Sequence, residues 1–387
     1  MTFQFASLES LRTRRSSKWR TYDADVLPAW VAELDVVLAE PIARALHDAV
    51  DRSDTGYLWV GALPESLAAF AEQRWGWRVD PAHVTVLPDV VSGLAHAIEL
   101  FTRPADGVVI TSPVYPPFWS TISRITARTV VDVPMCRDAD GAYALDLDGL
   151  DEAFARPDVS AFVLCSPHNP SGTVPTATEL RHIADSALRH NVAVIADEIH
   201  APLTHPGVTH TPFLSVAPDE LSAVSLVSAS KGWNLAGLKC AQLVAGSDAV
   251  AAQVKDGIPM EVQFETGHFG VLASIAAYDE GGPWLDELIG HLAANAEYLG
   301  SALAAQLPGI TYVPPTASYL AWLDCSGLDL DGVPSRVFLD QGRVALNPGR
   351  PFGPGLDAFV RLNFGTSREN LDEILARMRR ALENASP

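Results

Sequence analysis

No stretch of this 387-residue sequence approaches the roughly 18 consecutive apolar residues that a membrane-spanning helix needs, so a membrane protein of that kind is not expected. Cysteine is scarce: the four present, Cys136, Cys165, Cys240 and Cys325, are far apart and form no CxxC pair. That argues against a disulfide framework or a zinc site, and predicts thiols packed in the core of a protein kept in a reducing cytoplasm. Positive charge is also short. Against 47 Asp and Glu stand 27 Lys and Arg, a formal net charge of -20, which argues against nucleic acid and anionic membrane surfaces as partners because phosphates need clustered cations. The one basic run, Arg12, Arg14, Arg15, Lys18 and Arg20, reads as a solvated helix face, and with no apolar segment after it does not read as a signal peptide. Repeats, low-complexity tracts and flexible linkers are absent as well.

What is present is apolar and ordered. With 48% hydrophobic and 19% charged residues the chain can build a large core and more than one domain. Short apolar runs at residues 108–111, 129–133, 161–164, 192–195, 223–227 and 241–244 alternate with helical segments or turns. This is the pattern of an α/β protein with a mostly parallel sheet covered on both faces. Residues 178–190 read as a crossover helix capped by Thr178, with Arg189 and His190 in its last turn. From about Pro283 the pattern changes to a long helix ending near Gln306, a strand at 318–324, a helix near Ser335, a strand at 358–362 and a final helix at 368–382. The expected division is a large domain at 46–282 and a small domain built from both chain ends, 1–45 and 283–387. Residues 351–355, Pro-Phe-Gly-Pro-Gly, are the most loop-like stretch and read first as a surface loop, with closure of the site near Arg361 as the alternative.

Several residues point to chemistry. Lys231 follows an apolar run in Ser228-Ala229-Ser230-Lys231, with Lys239 eight positions on. An amine so placed could hold an aldehyde cofactor while neighbouring hydroxyls and a cation hold its phosphate. Asn169 lies in Pro167-His168-Asn169-Pro170, a stiff segment at a strand exit. Asp197, in Asp197-Glu198-Ile199-His200, ends another strand, where a carboxylate could face a pyridine nitrogen. Taken alone, Asp197 reads better as a helix N-cap or a solvated strand end, and it is Lys231 that favours the other reading. Asp89 and Ser92 begin an apolar helical pattern, so the backbone N–H groups of Val90 and Val91 could meet an anion at a helix N-terminus. A metal hydrolase built from Asp197, Glu198, His200, His205 and His210 is disfavoured, because the spacing is not HExxH and Pro202 and Pro206 interrupt any helix presenting them.

In order, Tyr115, Asn169, Asp197, Lys231 and Arg361 resemble the constellation of fold-type I pyridoxal-phosphate enzymes of the class I/II aminotransferase superfamily. The resemblance covers nearly the whole chain. Residues 27–32, 55–57, 112–118, 197–200, 318–324 and 359–363 are similar to those of the MalY/PatB-type cystathionine β-lyases, the C–S lyase subgroup.

The resemblance implies an aspartate aminotransferase-like fold, with a mostly parallel seven-stranded sheet in the large domain and a smaller α+β domain, and pyridoxal 5'-phosphate as cofactor. Lys231, Tyr57 and Tyr115 form the implied catalytic set. Val90, Val91, Ser228, Ser230 and Lys239 surround the phosphate, though lysine at 239 lacks the arginine fork usual in aminotransferases. Tyr115 covers the cofactor ring, Asn169 serves its phenolate oxygen, Asp197 its nitrogen, and His200 stands where many aminotransferases have tyrosine. Arg361, assisted by Asn169 and by backbone at Val31 and Ala32, holds the substrate carboxylate. Tyr57 reaches the neighbouring subunit's phosphate, which implies a homodimer. The implied activity is β-elimination from cystathionine or a related sulfur amino acid, a step of the methionine biosynthesis type. An L-amino-acid aminotransferase is the alternative, and a regulatory or binding protein retaining the cofactor is the second.

Overall fold

The computed structural model describes residues 3–385. All six apolar runs form strands, and a seventh, which the sequence did not reveal, joins them. The sheet consists of β1 (Val84–Leu87), β2 (Gly107–Ile110), β3 (Thr129–Asp132), β4 (Val159–Cys165), β5 (Ala193–Asp197), β6 (Ala223–Val227) and β7 (Ala241–Ala245). Their order is β1-β7-β6-β5-β4-β2-β3, and β7 alone runs antiparallel to its neighbours.

Each face of the sheet has its own core, because strand side chains alternate. Val163, Ile195 and Leu226 pack with Leu94 and Ile98 on one face, while Phe162, Leu164 and Val194 pack with Leu180 and Ile183 on the other. Helix Val90–Phe101 lies close against the first face because Gly93 has no side chain: a Cβ there would come within 2.8 Å of Leu226 Cδ2. That close seat sets where the helix N-terminus sits.

Helix Ala177–His190 starts one residue earlier than its sequence pattern suggests, and Thr176 rather than Thr178 caps it. Thr176 Oγ1 accepts the Glu179 N–H at 3.2 Å while the Glu179 carboxylate accepts the Thr176 N–H at 2.7 Å, so two otherwise orphaned donors are satisfied reciprocally. Thr178 falls inside the first turn.

A 25-residue helix, Gly282–Gln306, leads to a second, antiparallel sheet of Thr311–Tyr312, Leu320–Asp324, Phe359–Asn363 and Asn347–Pro348, followed by helix Arg368–Ala385. The N-terminal segment joins this end of the molecule. Leu27–Pro28 pairs in parallel with Val344–Ala345, and the Asn363 N–H donates to Ala29 O.

Three expectations are corrected here. The basic run is a solvated face only in part: Arg12, Arg15 and Arg20 are exposed, but Lys18 is 1% exposed, pairs with Asp35 at 2.8 Å and donates to Glu33 O, and Arg14 donates to the carbonyls of Leu34 and Val36. A neighbouring segment 15 or more residues away surrounds these cations, which sequence adjacency cannot reveal. Cys136 is exposed on a two-residue strand, whereas Cys165, Cys240 and Cys325 are buried as expected. Phe352, in the stretch read as a surface loop, is 1% exposed because its ring packs beneath the Arg361 guanidinium, 5.1 Å away, and beside Trp322.

Candidate active site

The C-terminal ends of β4, β5 and β6 open onto one cavity of about 320 Å³, the usual place for a ligand in an α/β sheet. Asn169 comes from the loop after β4, Asp197 is the last residue of β5, and Lys231 sits in the short helix Ala229–Gly232 just after β6. Tyr115, His200, Ser230, Lys239, Val90, Val91 and Ala32 also line the cavity.

Burial decides the electrostatics. It pushes the Lys231 ammonium down to about 8, with the Arg361 charge adding to the effect, and Nζ donates to Ala32 O at 2.9 Å. Burial pushes the Asp197 carboxyl up to about 7, against the opposing bond from the Ile199 N–H at 3.1 Å and the Lys231 charge. His200, buried and close to two cations, is driven well below its ordinary value and is neutral, and its Nδ1 has no hydrogen-bond partner. The Tyr115 phenol is pushed up by burial, an effect the Arg361 charge only partly offsets.

Arg361 is the least expected environment in the molecule. It is 3% exposed, and burial lowers it to about 10, still a cation at neutral pH. Its fork donates to Asn169 Oδ1 at 3.0 Å and Trp30 O at 3.1 Å, its Nε has no partner, and no carboxylate among the described residues pairs with it. A buried guanidinium hydrogen-bonded only to neutral groups is set up to receive an anion.

Around it the segment 30–36 is fixed by side chains from three distant elements. Asn363, two residues from Arg361 and so on the same strand face, donates to Val31 O and Glu33 O at 2.7 Å each. Tyr319 Oη donates to Ala32 O at 3.0 Å, and Asn234 bonds both the N–H and the carbonyl of Leu34. Sequence reasoning did not single out Asn363, Tyr319 or Asn234 as site residues. The same-face spacing of Arg361 and Asn363 was the available signal for one of them.

Other expected residues are placed differently. Ser228 Oγ donates to Cys240 O at 2.7 Å and caps its helix through the Ser230 N–H, so its hydroxyl is engaged behind the cavity wall. Lys239 Nζ is 2.7 Å from Asp89 Oδ2 at the rim, which commits much of its charge to that carboxylate. Burial raises Asp89, but the bonds from Lys239 and the Ser92 N–H outweigh it and hold its carboxyl below the usual range. Tyr57 is 91% exposed and Trp59 78% exposed, away from this chain's own cavity. Of the metal alternative, Glu198 faces His210 and the Phe213 N–H while His205 bonds Ser318 O. No group of three or more His, Cys, Asp or Glu side chains among the described residues could hold a metal ion.

These features fit pyridoxal phosphate. An amine, a buried carboxylate with one N–H donor, an unpartnered imidazole nitrogen and a helix N-terminus converge on one cavity large enough for a substituted pyridine ring. Asp197 could meet a protonated ring nitrogen, Tyr115 the ring face, and Val90, Val91 and Ser230 the phosphate.

Comparison with known proteins agrees with this geometry. The family model for aminotransferase class I and II matches residues 25–378. A Mycobacterium leprae protein provisionally named a cystathionine beta-lyase is 44% identical over 98% of this chain and 97% of its own length. The cystathionine beta-lyase PatB of Bacillus subtilis is 36% identical, covering 92% of this chain and 93% of PatB. The crystal structure of a Corynebacterium diphtheriae protein, provisionally described as a PLP-dependent beta-cystathionase, superposes with a TM-score of 0.93 at 34% identity, covering 99% of this chain and 100% of that one. The chain therefore belongs to the aminotransferase class I and II family.

Proposed function

We propose that this protein is a pyridoxal-phosphate-dependent C–S β-lyase that splits cystathionine, or a related β-thio amino acid, with water into a thiol, pyruvate and ammonia. The observation that carries it is the buried Arg361 without a carboxylate partner beside the buried Lys231 amine, a pair matched to the carboxylate and Cα–H of an amino acid. The names of the lyase relatives support the choice of reaction.

Arg361 takes the α-carboxylate in its fork, and Asn169 and the carbonyl of Trp30 hold that fork in register. Lys231, its proton affinity lowered by burial, is the base for the α-proton. When bound, the cofactor supplies an electron sink for the α-carbanion. Asp197 keeps that sink electron-withdrawing by holding a negative charge at the ring nitrogen, and neutral His200 adds no competing cation. The C–S bond then breaks with its electron pair leaving on sulfur, and the proton held on Lys231 is available to the departing thiolate.

The working unit is a homodimer in which Tyr57 reaches the partner's phosphate site; the exposure of Tyr57 and Trp59 supports this. The chain divides into a large domain, 46–282, and a small one, 1–45 with 283–387. We place the protein in the cytoplasm, as its unpaired cysteines favour, and no helix among the described residues is long and apolar enough to cross a membrane.

The test is to incubate the loaded protein with L-cystathionine, with and without a 2-oxo acid, and follow thiol and pyruvate. Equal release of both without the oxo acid establishes elimination. Turnover only with the oxo acid, and no thiol, makes the protein an aminotransferase. Lys231→Ala should abolish steady turnover in either case, and full activity in that variant refutes the mechanism.

A further inference from the structure

Directly behind Asp197 lies a buried carboxyl–imidazole pair that the mechanism above does not use. Glu198 and His210 each have side chains 1% exposed, with Glu198 Oε1 3.4 Å from His210 Nε2 and accepting the Phe213 N–H at 2.8 Å. The Glu198 N–H donates to Leu226 O, one bond beyond the last residue of β5, so the backbone is still held against the neighbouring strand there and the two adjacent side chains turn to opposite sides. Asp197 therefore faces the cavity while Glu198 faces away from it. Trp75 packs edge-on against the imidazole, with centroids 5.5 Å apart. Glu198 Oε2 and His210 Nδ1 have no other partner.

Two carboxylates on adjacent residues in a buried strand end cannot both stay ionised without a compensating charge. Lys231 is the cation on the cavity side, but it is committed to the reaction. His210 is the positively chargeable group paired with Glu198. We propose that His210 is a positioning residue for the reaction: its imidazolium cancels the Glu198 charge, leaving Asp197 free to hold its own negative charge at the cofactor's ring nitrogen. This rests on the assignment of Asp197 to that nitrogen. The repulsion between neighbouring charges is consistent with Glu198 being among the groups that raise the Asp197 carboxyl.

The test uses cofactor affinity, measured by fluorescence on titrating the cofactor-free protein with pyridoxal phosphate, alongside thermal midpoints. His210→Gln keeps a hydrogen-bonding side chain but loses the cation, and should weaken cofactor binding about tenfold, equivalent to about 1.4 kcal/mol of uncancelled repulsion between Glu198 and Asp197. Glu198→Gln keeps an acceptor for the Phe213 N–H and removes the charge that needs cancelling, and should bind cofactor within about twofold of the native protein. The double variant should recover that affinity. If His210→Gln alone does not fold, the double variant still decides: native-like affinity supports charge cancellation, and a folded double variant that has lost the cofactor overturns it. Equal losses in His210→Gln and the double variant, or no loss in either, also overturn it. Asp197→Asn is the control for the assignment beneath: undiminished cofactor affinity there refutes the role of Asp197 itself, independently of how the pair behaves.

Discussion

Replacing Arg361 with lysine tests the centre of the mechanism. The native fork has one amino group on Asn169 Oδ1, another on Trp30 O, and an Nε without a partner. Lysine keeps the positive charge but offers one nitrogen, which cannot serve Asn169, Trp30 and an incoming carboxylate together. A hydrogen bond to a charged group contributes about 1.5–3 kcal/mol. Losing one bond to the substrate and the alignment of Asn169 should cost about 3 kcal/mol, roughly 150-fold in kcat/KM at 1.36 kcal/mol per decade. Because the carboxylate is held throughout the reaction, most of the loss should fall on KM. Initial rates of thiol release over a range of L-cystathionine concentrations give both parameters, and the thermal midpoint shows whether the fold survives. A folded Arg361→Lys enzyme with kcat/KM within fivefold of native would refute the assignment of Arg361 to the substrate.

In the cofactor-free protein, the Asp197 carboxyl at about 7 holds a proton that its ordinary value of 3.8 would release, so its contribution to stability is greatest below about pH 4 and declines as pH rises to 7, by a few kcal/mol. Urea midpoints of Asp197→Asn against native over that window should show the decline removed, and parallel profiles would contradict the burial of this charge. Gly172, at φ +70, follows the Asn169 turn, and a Cβ there would lie 2.2 Å from Pro315 Cβ. Gly172→Ala should therefore cost about 1–3 kcal/mol and lower the thermal midpoint; an unchanged midpoint would mean the turn relaxes freely. Tyr57→Phe should leave the thermal midpoint of the cofactor-free protein unchanged but weaken cofactor retention on dialysis about fivefold, one hydrogen bond's worth, and undiminished retention would remove Tyr57 from the phosphate site.

Much of the fold was legible. Continuous apolar runs between turn signals gave six of the seven strands, because a parallel strand buried on both faces has no polar positions to hide it. The seventh, Val84–Leu87, is short, half-exposed at its start and follows a proline turn, so its sequence carries little of that signal. Thr178 reads as the cap from its place at the start of the helical pattern; the Glu179 carboxylate, which answers the Thr176 N–H, makes Thr176 the cap instead. Asn169, Asp197 and Lys231 were legible because each stands at or just beyond the end of a recognisable apolar run. Ser228 was legible as a hydroxyl near Lys231, but not as one already bonded to Cys240 O.

The sequence by itself determined six of the seven strands of the large sheet, and most residues at their ends, since those signals lie within about ten neighbouring residues. Tertiary structure alone decided the environments of the charges. Arg361 reaches a carbonyl 331 positions away, and Lys18, surrounded in sequence by other cations, is buried against Asp35. Whether a cation is solvated, paired or left waiting for a substrate depends on what distant segments place around it, and the desolvation that sets Lys231 near 8 and Asp197 near 7 exists only once those segments have packed.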